Sequence, residues 1–262
     1  MEVEKTEETG EETVGWVRQY TNYNEVYYGS PARYATVHFT TRKKNLSCST
    51  NTMSNTTKAT TPDTDTEDTI VISLPDWTKQ FSDSYKDKTF TVGEDEEEMM
   101  KVAIALSEKN SLIEKTGGPF GTAIFEVDTE TGKCKLFSIG INQVVPLGNS
   151  TLHGEMTAIQ FGQKKLNSYT FGINKPSGKE YHLYTSCEPC CQCLGGTLWS
   201  GVTKLVCAAR KEDAEKIGFK EGPVFKESYE ALESAGVKVV RNVLREKGAR
   251  VLKQYGEIGV IY

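Results

Sequence analysis

Two short stretches decide how this chain is read: Leu152-His153-Gly154-Glu155-Met156 and Thr185-Ser186-Cys187-Glu188-Pro189-Cys190-Cys191-Gln192-Cys193. His-x-Glu followed downstream by Pro-Cys-x-x-Cys supplies an imidazole, two thiols and a spare carboxylate. Zinc takes nitrogen and sulfur ligands in a tetrahedron, and a catalytic site keeps one corner for water. His153, Cys190 and Cys193 fill three corners. Two thiolates cancel the charge of Zn2+, yet water at catalytic zinc sites still reaches a pKa of about 7. The Cys-x-x-Cys spacing sets both sulfurs on one turn. Pro189 suits a helix start, where a missing N–H costs nothing, and the positive helix end favours thiolate. Glu155 is not needed to complete the tetrahedron, so it is the candidate to carry protons to and from metal-bound water.

Other readings of these residues exist. Cys-x-x-Cys alone also fits a redox pair or half of a structural zinc site. A structural site needs a fourth protein ligand. Cys191 lies between the proposed ligands and should point away, whereas Cys187 is the stronger rival for that corner. Cys134 and Cys207 lie in apolar strands and read as core; His38 and His182 read as bystanders.

Outward from the motifs, the chain alternates helix and strand patterns. Glu94–Asn110 reads as a helix with acidic residues in its first turn and Met99, Val102, Ala103 and Leu106 on one side. Gly117-Gly118-Pro119 breaks it. Phe120–Val127 and Cys134–Ile141 form a hairpin turning at Thr131-Gly132. Helices are expected at about Leu152–Leu166, Cys190–Ser200, Glu212–Ile217, Lys226–Ala235 and Leu244–Gln254, and strands at Tyr181–Thr185, Lys204–Ala208 and Val237–Arg241. A hairpin followed by this alternation predicts an α/β fold, with a mixed five-stranded sheet covered by helices on both faces.

Residues 1–90 differ in composition. Residues 44–68 are mostly Ser, Thr, Asn, Asp and Lys, with little to bury. The expected organisation is therefore a poorly ordered extension over 1–90, containing this low-complexity linker, and a folded domain over 91–262. Within the extension, Ile70–Phe81 is apolar enough to dock on the domain. The chain has 262 residues, 37% hydrophobic, and a formal net charge of -5. That balance argues against general nucleic-acid binding. No apolar run suits a membrane span and the acidic N-terminus lacks a signal-peptide pattern, so a cytoplasmic protein is expected. Seven cysteines, four of them between 187 and 193, suit a metal site in a reducing compartment better than a disulfide framework.

At this point the sequence resembles the cytidine deaminase-like superfamily of zinc enzymes, whose signature is His-x-Glu followed by Pro-Cys-x-x-Cys. Within it, the chain is similar to the guanine deaminase branch. The resemblance runs from about Glu94 to Tyr262 through Gly117-Gly118-Pro119-Phe120-Gly121, Asn142, His153-Gly154-Glu155, Thr185–Cys190, Cys193-Leu194-Gly195-Gly196 and Gly218-Phe219. It implies a three-layer α/β/α domain, a homodimer, Zn2+ as cofactor and a small nucleobase as substrate. It also implies that Asn142 hydrogen-bonds the base, Phe120 flanks its ring, Trp199 sits beneath the pocket, Glu221 reads the amino side and Tyr262 belongs to a tail that closes the pocket. Glu221 stands where the branch has Asp, and Gly154 where it more often has Ala. The expected reaction is guanine to xanthine and ammonia. Cytosine or another aminated ring is the alternative substrate. A tRNA adenosine deaminase is a second alternative, its candidate surface being Arg241, Arg245, Lys247, Arg250 and Lys253. A zinc-stabilised binding module without catalysis is a third, and the intact Glu155 speaks against it.

Overall fold

The computed structural model describes residues 70–261. The low-complexity linker, Cys48, His38 and Tyr262 lie outside the described residues. The elements run α1 (Trp77–Asp83), β1 (Phe90–Thr91), α2 (Glu96–Glu108), a π-helical turn (Lys109–Ile113), β2 (Gly121–Asp128), β3 (Lys133–Ile141), α3 (Gly154–Leu166), β4 (Lys179–Cys187), α4 (Cys191–Ser200), β5 (Lys204–Ala209), α5 (Lys211–Glu215), α6 (Lys226–Ser234), β6 (Lys238–Val240) and α7 (Arg245–Ile258).

The sheet order is β1-β3-β2-β4-β5-β6. Pairing is antiparallel from β1 to β4 and parallel from β4 to β6. Strand alternation sorts side chains onto two faces. Ala123, Phe125 and Val127 of β2, Tyr184 of β4, and Val206 and Ala208 of β5 meet α2 and Val251 of α7. Ile124, Leu183, Leu205 and Cys207 point the other way and meet Ala158 and Ile159 of α3, Leu194 of α4 and Leu232 of α6. The sheet is therefore the middle of three layers.

Three details depart from the sequence expectation. Among the described residues the sheet has six strands, because Phe90 and Thr91 pair with Cys134 and Lys133. A two-residue edge strand has no period to detect. The folded region also begins earlier than residue 91: α1 packs there, with Trp77 buried and Leu74 and Phe81 against the same cluster. Apolar burial, not length of element, draws this segment onto the domain. Finally, the β2–β3 register shifts between Ile124 and Phe125, so Phe137 is an extra residue on β3. Such a bulge reverses the in–out alternation. It turns Phe137 toward Phe171 and Tyr181, with ring centroids at 6.4 and 4.9 Å.

Gly140 controls how closely α3 approaches the sheet. A Cβ there would lie 2.1 Å from Gly154 O and 2.3 Å from Ala158 N, both backbone atoms. Only glycine permits this approach, which brings the start of α3 down to the end of β4.

Candidate active site

His153 is the N-cap of α3 and Cys190 the N-cap of α4, both in extended backbone conformation. Their carbonyls accept the first helical bonds, from Thr157 N and Leu194 N, each at 2.9 Å. The two helix starts thus meet at one point. His153 Nδ1 lies 3.4 Å from Cys190 Sγ. The ligand atoms of His153, Cys190 and Cys193 all fall within 4.8 Å of one another. The 3.4 Å between His153 and Cys190 suits two corners of a tetrahedral zinc with bond lengths of about 2.0–2.3 Å, and Cys193 lies near enough to supply a third. Hydrogen bonds from Cys193 and His153 push the Cys190 thiol down to about 4, so it is held as the thiolate that a metal requires.

The rival ligands lie elsewhere. Cys187 is buried, 3.5 Å from Arg210 O, and burial raises its thiol well above the ordinary value. Cys191 is exposed. Among the described residues, neither joins the ligand cluster.

Glu155 is buried at 4% exposure in the first turn of α3. Thr185 Oγ1 donates to its Oε1 at 3.0 Å. Burial, then the Cys190 thiolate, raises the carboxyl above its usual range. A cavity of about 110 Å3 is lined by Phe120, Asn142, His153, Glu155, Glu188, Cys190, Phe219, Lys220 and Glu221. Six residues singled out from sequence therefore line one space, with Cys193 buried in the same ligand cluster. Glu221 comes from the loop before α6, which docks on α4 through Cys191 N to Glu221 O at 3.0 Å. Burial, with the Cys190 and Glu155 charges, pushes its carboxyl up to about 8.

Trp199 does not fit the expectation. It is 72% exposed and does not line the cavity. Cys193, Leu194, Thr197 and Ser200 occupy the buried side of α4, and at 100° per residue Trp199 falls on the opposite side. Tyr262 lies outside the described residues. The tail before it folds onto the cavity rim: Ile261 packs against Gly218 and the cluster holding Phe219.

Sequence reading had not placed Glu188, Phe219 or Lys220 at the cavity. Phe219 crosses Phe120 edge to face at 4.9 Å. Glu188 uses Oε1 for Arg241 Nε at 2.5 Å and Oε2 for Lys211 N at 3.1 Å. Glu188 and Phe219 lie inside the matching segments Thr185–Cys190 and Gly218-Phe219, and Lys220 directly follows the second.

Residues 93–209 match the family described as the cytidine and deoxycytidylate deaminase zinc-binding region, a span that contains His153, Cys190, Cys193 and Glu155. A guanine deaminase from Bacillus subtilis is 34% identical over 111 residues, covering 42% of this chain and 63% of its own length. This chain thus spans slightly under two thirds of that relative. The structure of a guanine deaminase from Nitrosomonas europaea superposes with a TM-score of 0.62 at 33% identity, covering 72% of this chain and 97% of that one. The chain belongs to the zinc-binding deaminase family. A further family structure, solved in complex with 2,6-diaminopurine, matches at 34% identity and a TM-score of 0.62, covering 75% of this chain and 98% of that one. The family's sheet architecture and its zinc-binding segment account for the fold and for the position of the ligand cluster.

Proposed function

We propose that this chain is a zinc-dependent hydrolase that deaminates a free nucleobase, converting guanine and water to xanthine and ammonia. The observation that carries the proposal is that Glu155 and the ligands His153 and Cys190 line the same small cavity as Phe120 and Asn142. The relatives support the base: two bear the name guanine deaminase, and one family structure holds a diaminated purine.

His153, Cys190 and Cys193 would hold zinc, which would supply a water of lowered pKa. Glu155 carries one proton from water to the ring nitrogen as the C–O bond forms, then a second from the hydroxyl of that carbon adduct to the amino group, which leaves as ammonia as the C=O forms. Thr185 fixes the direction of that carboxylate through Oε1. Phe120 covers one ring face, and Asn142 reads a ring edge through its amide. Glu221 lines the cavity with its carboxyl raised by burial, which places it to meet an amino group on the base.

The tRNA reading is weakened, because two of its five cations are held in ion pairs and only Lys247, Arg250 and Lys253 stay exposed outside them. Of the five cations considered for it, Arg241 is bound to Glu188 and Arg245 to Asp213, the latter through two bonds of 3.0 Å. No helix among the described residues is long and apolar enough to cross a membrane. We further propose a cytoplasmic homodimer, for which the exposed Trp199 on α4 is the supporting feature. Ammonia release over guanine, cytosine, adenine, their nucleosides and tRNA tests the substrate. Guanine should turn over fastest; preference for cytosine, or for adenosine in tRNA, would overturn the assignment.

A further inference from the structure

We propose that Asn110 and Thr116 are positioning residues for the base-reading side of the cavity, anchored from α1 by Trp77. The inference rests on the reading that Phe120 and Asn142 hold the base.

The π-helical turn at Lys109–Ile113 ends the first long helix and buries Asn110 completely. A π turn adds a residue and re-aims the side chains around it, and such turns are frequent at functional sites. Here it brings the Asn110 amide beneath the loop that carries Phe120. Asn110 Nδ2 donates both to Gly118 O at 2.9 Å and to Asn142 O at 3.1 Å. One amide thus spans the two segments that present Phe120 and Asn142. Those segments also touch directly, through Asn142 N to Phe120 O at 3.0 Å. On the Asn142 side, Oδ1 accepts from Val144 N at 3.2 Å, which sets the side-chain amide.

The amide is itself held from outside. Thr116 Oγ1 donates to Asn110 Oδ1 at 2.9 Å and accepts from Trp77 Nε1 at 3.0 Å. Gln143 Nε2 closes the network by donating to Thr116 O at 2.8 Å and to Asn142 O at 3.1 Å. Space is tight as well. A Cβ on Gly117 would lie 2.1 Å from Asn142 O and 2.7 Å from Asn110 Nδ2. A chain of bonds therefore runs from α1 to both walls of the cavity, without touching the zinc ligands or Glu155. Buried polar networks of this kind specify one geometry when every member is satisfied.

That separation decides the test. Loss of Asn110 should loosen the grip on the base and leave the proton chemistry alone. Asn110→Ala is expected to fold, because Gly118 O keeps Phe120 N at 2.9 Å and Asn142 O keeps the Gln143 amide. Thr116→Val and Trp77→Phe break the chain further out with smaller changes. The experiment is steady-state kinetics of the full chain on guanine, beside zinc content and thermal melting, with Asn142→Ala as the reference. KM should rise about five- to tenfold in Asn110→Ala, the scale of one hydrogen bond in a buried network. It should rise about two- to threefold in Thr116→Val and Trp77→Phe, with kcat and zinc nearly unchanged. Unchanged KM in Asn110→Ala and Thr116→Val, while Asn142→Ala raises it, would overturn the positioning role alone. A fall in kcat and melting temperature at constant KM would mark the network as merely structural and also overturn it. If Asn142→Ala leaves KM unchanged, the base-reading assignment fails and takes the inference with it.

Discussion

The Thr185 hydroxyl on β4 hydrogen-bonds Oε1 of Glu155 on α3 at 3.0 Å, joining the carboxylate to the strand that ends beside the Cys190 turn. Strand and helix therefore aim the carboxylate from opposite sides. Glu155→Gln should keep zinc and fold but lose turnover by roughly two to four orders of magnitude. Thr185→Val should lower kcat by about tenfold with little change in KM, because only the carboxylate's orientation is disturbed. Steady-state kinetics with metal analysis checks both; an unchanged rate in Glu155→Gln would remove it as proton carrier.

Metal content separates the cysteines. One zinc per chain is expected in the native protein, with a large loss in Cys190→Ala and in His153→Ala. Cys187→Ala should retain zinc, because its sulfur lies against Arg210 O and outside the ligand cluster. Removing zinc with a chelator should lower the melting temperature, since a ligand bound only to the folded state stabilises it. Full occupancy in Cys190→Ala would contradict the ligand assignment.

Gly140→Ala should destabilise the fold by about 1–3 kcal/mol or more, because the new methyl meets backbone of α3 that cannot turn aside. Gly195→Ala, on the same domain, meets nothing within 4 Å and should be neutral or slightly stabilising. Urea unfolding of the two variants provides the comparison. Equal midpoints would show that α3 can move outward at little cost.

Arg241 and Glu188 make a charged pair of unequal burial. The Glu188 side chain is 1% exposed and that of Arg241 37%. Arg241→Met leaves Glu188 with only the Lys211 N–H beside the cavity. A loss of about 1–3 kcal/mol is expected, less than for a fully buried pair. Glu188→Gln should cost less than Arg241→Met, because the amide keeps an acceptor for Lys211 N and carries no stranded charge. Thermal or urea melts of both variants test the order.

The helix and strand segments around the motifs were legible because each has a period or a breaker. Met99, Val102, Ala103 and Leu106 mark α2, and the hairpin turn stands at Thr131-Gly132. The candidate ligand cluster was legible because zinc accepts few donor types and their spacing is local. Trp199 was placed beneath the pocket by resemblance, whereas its spacing of six residues from Cys193 puts it on the far side of α4. The edge strand Phe90–Thr91 and the bulge at Phe137 were missed because neither has a local signature.

By itself the sequence determined the donor set and the order of elements: His153, Cys190, Cys193 and Glu155, on alternating helix and strand, are chemical identities that need no coordinates. The tertiary structure alone decided which distant groups share the cavity. Glu221 and Phe219 enter it because the loop before α6 docks on the start of α4, and Asn110 reaches Asn142 because the π turn lies under their loop. The reason is physical. Ligand chemistry resides in residue type and short spacing, whereas a cavity wall forms only when separately coded surfaces pack, here with α3 admitted to the sheet by the missing side chain of Gly140.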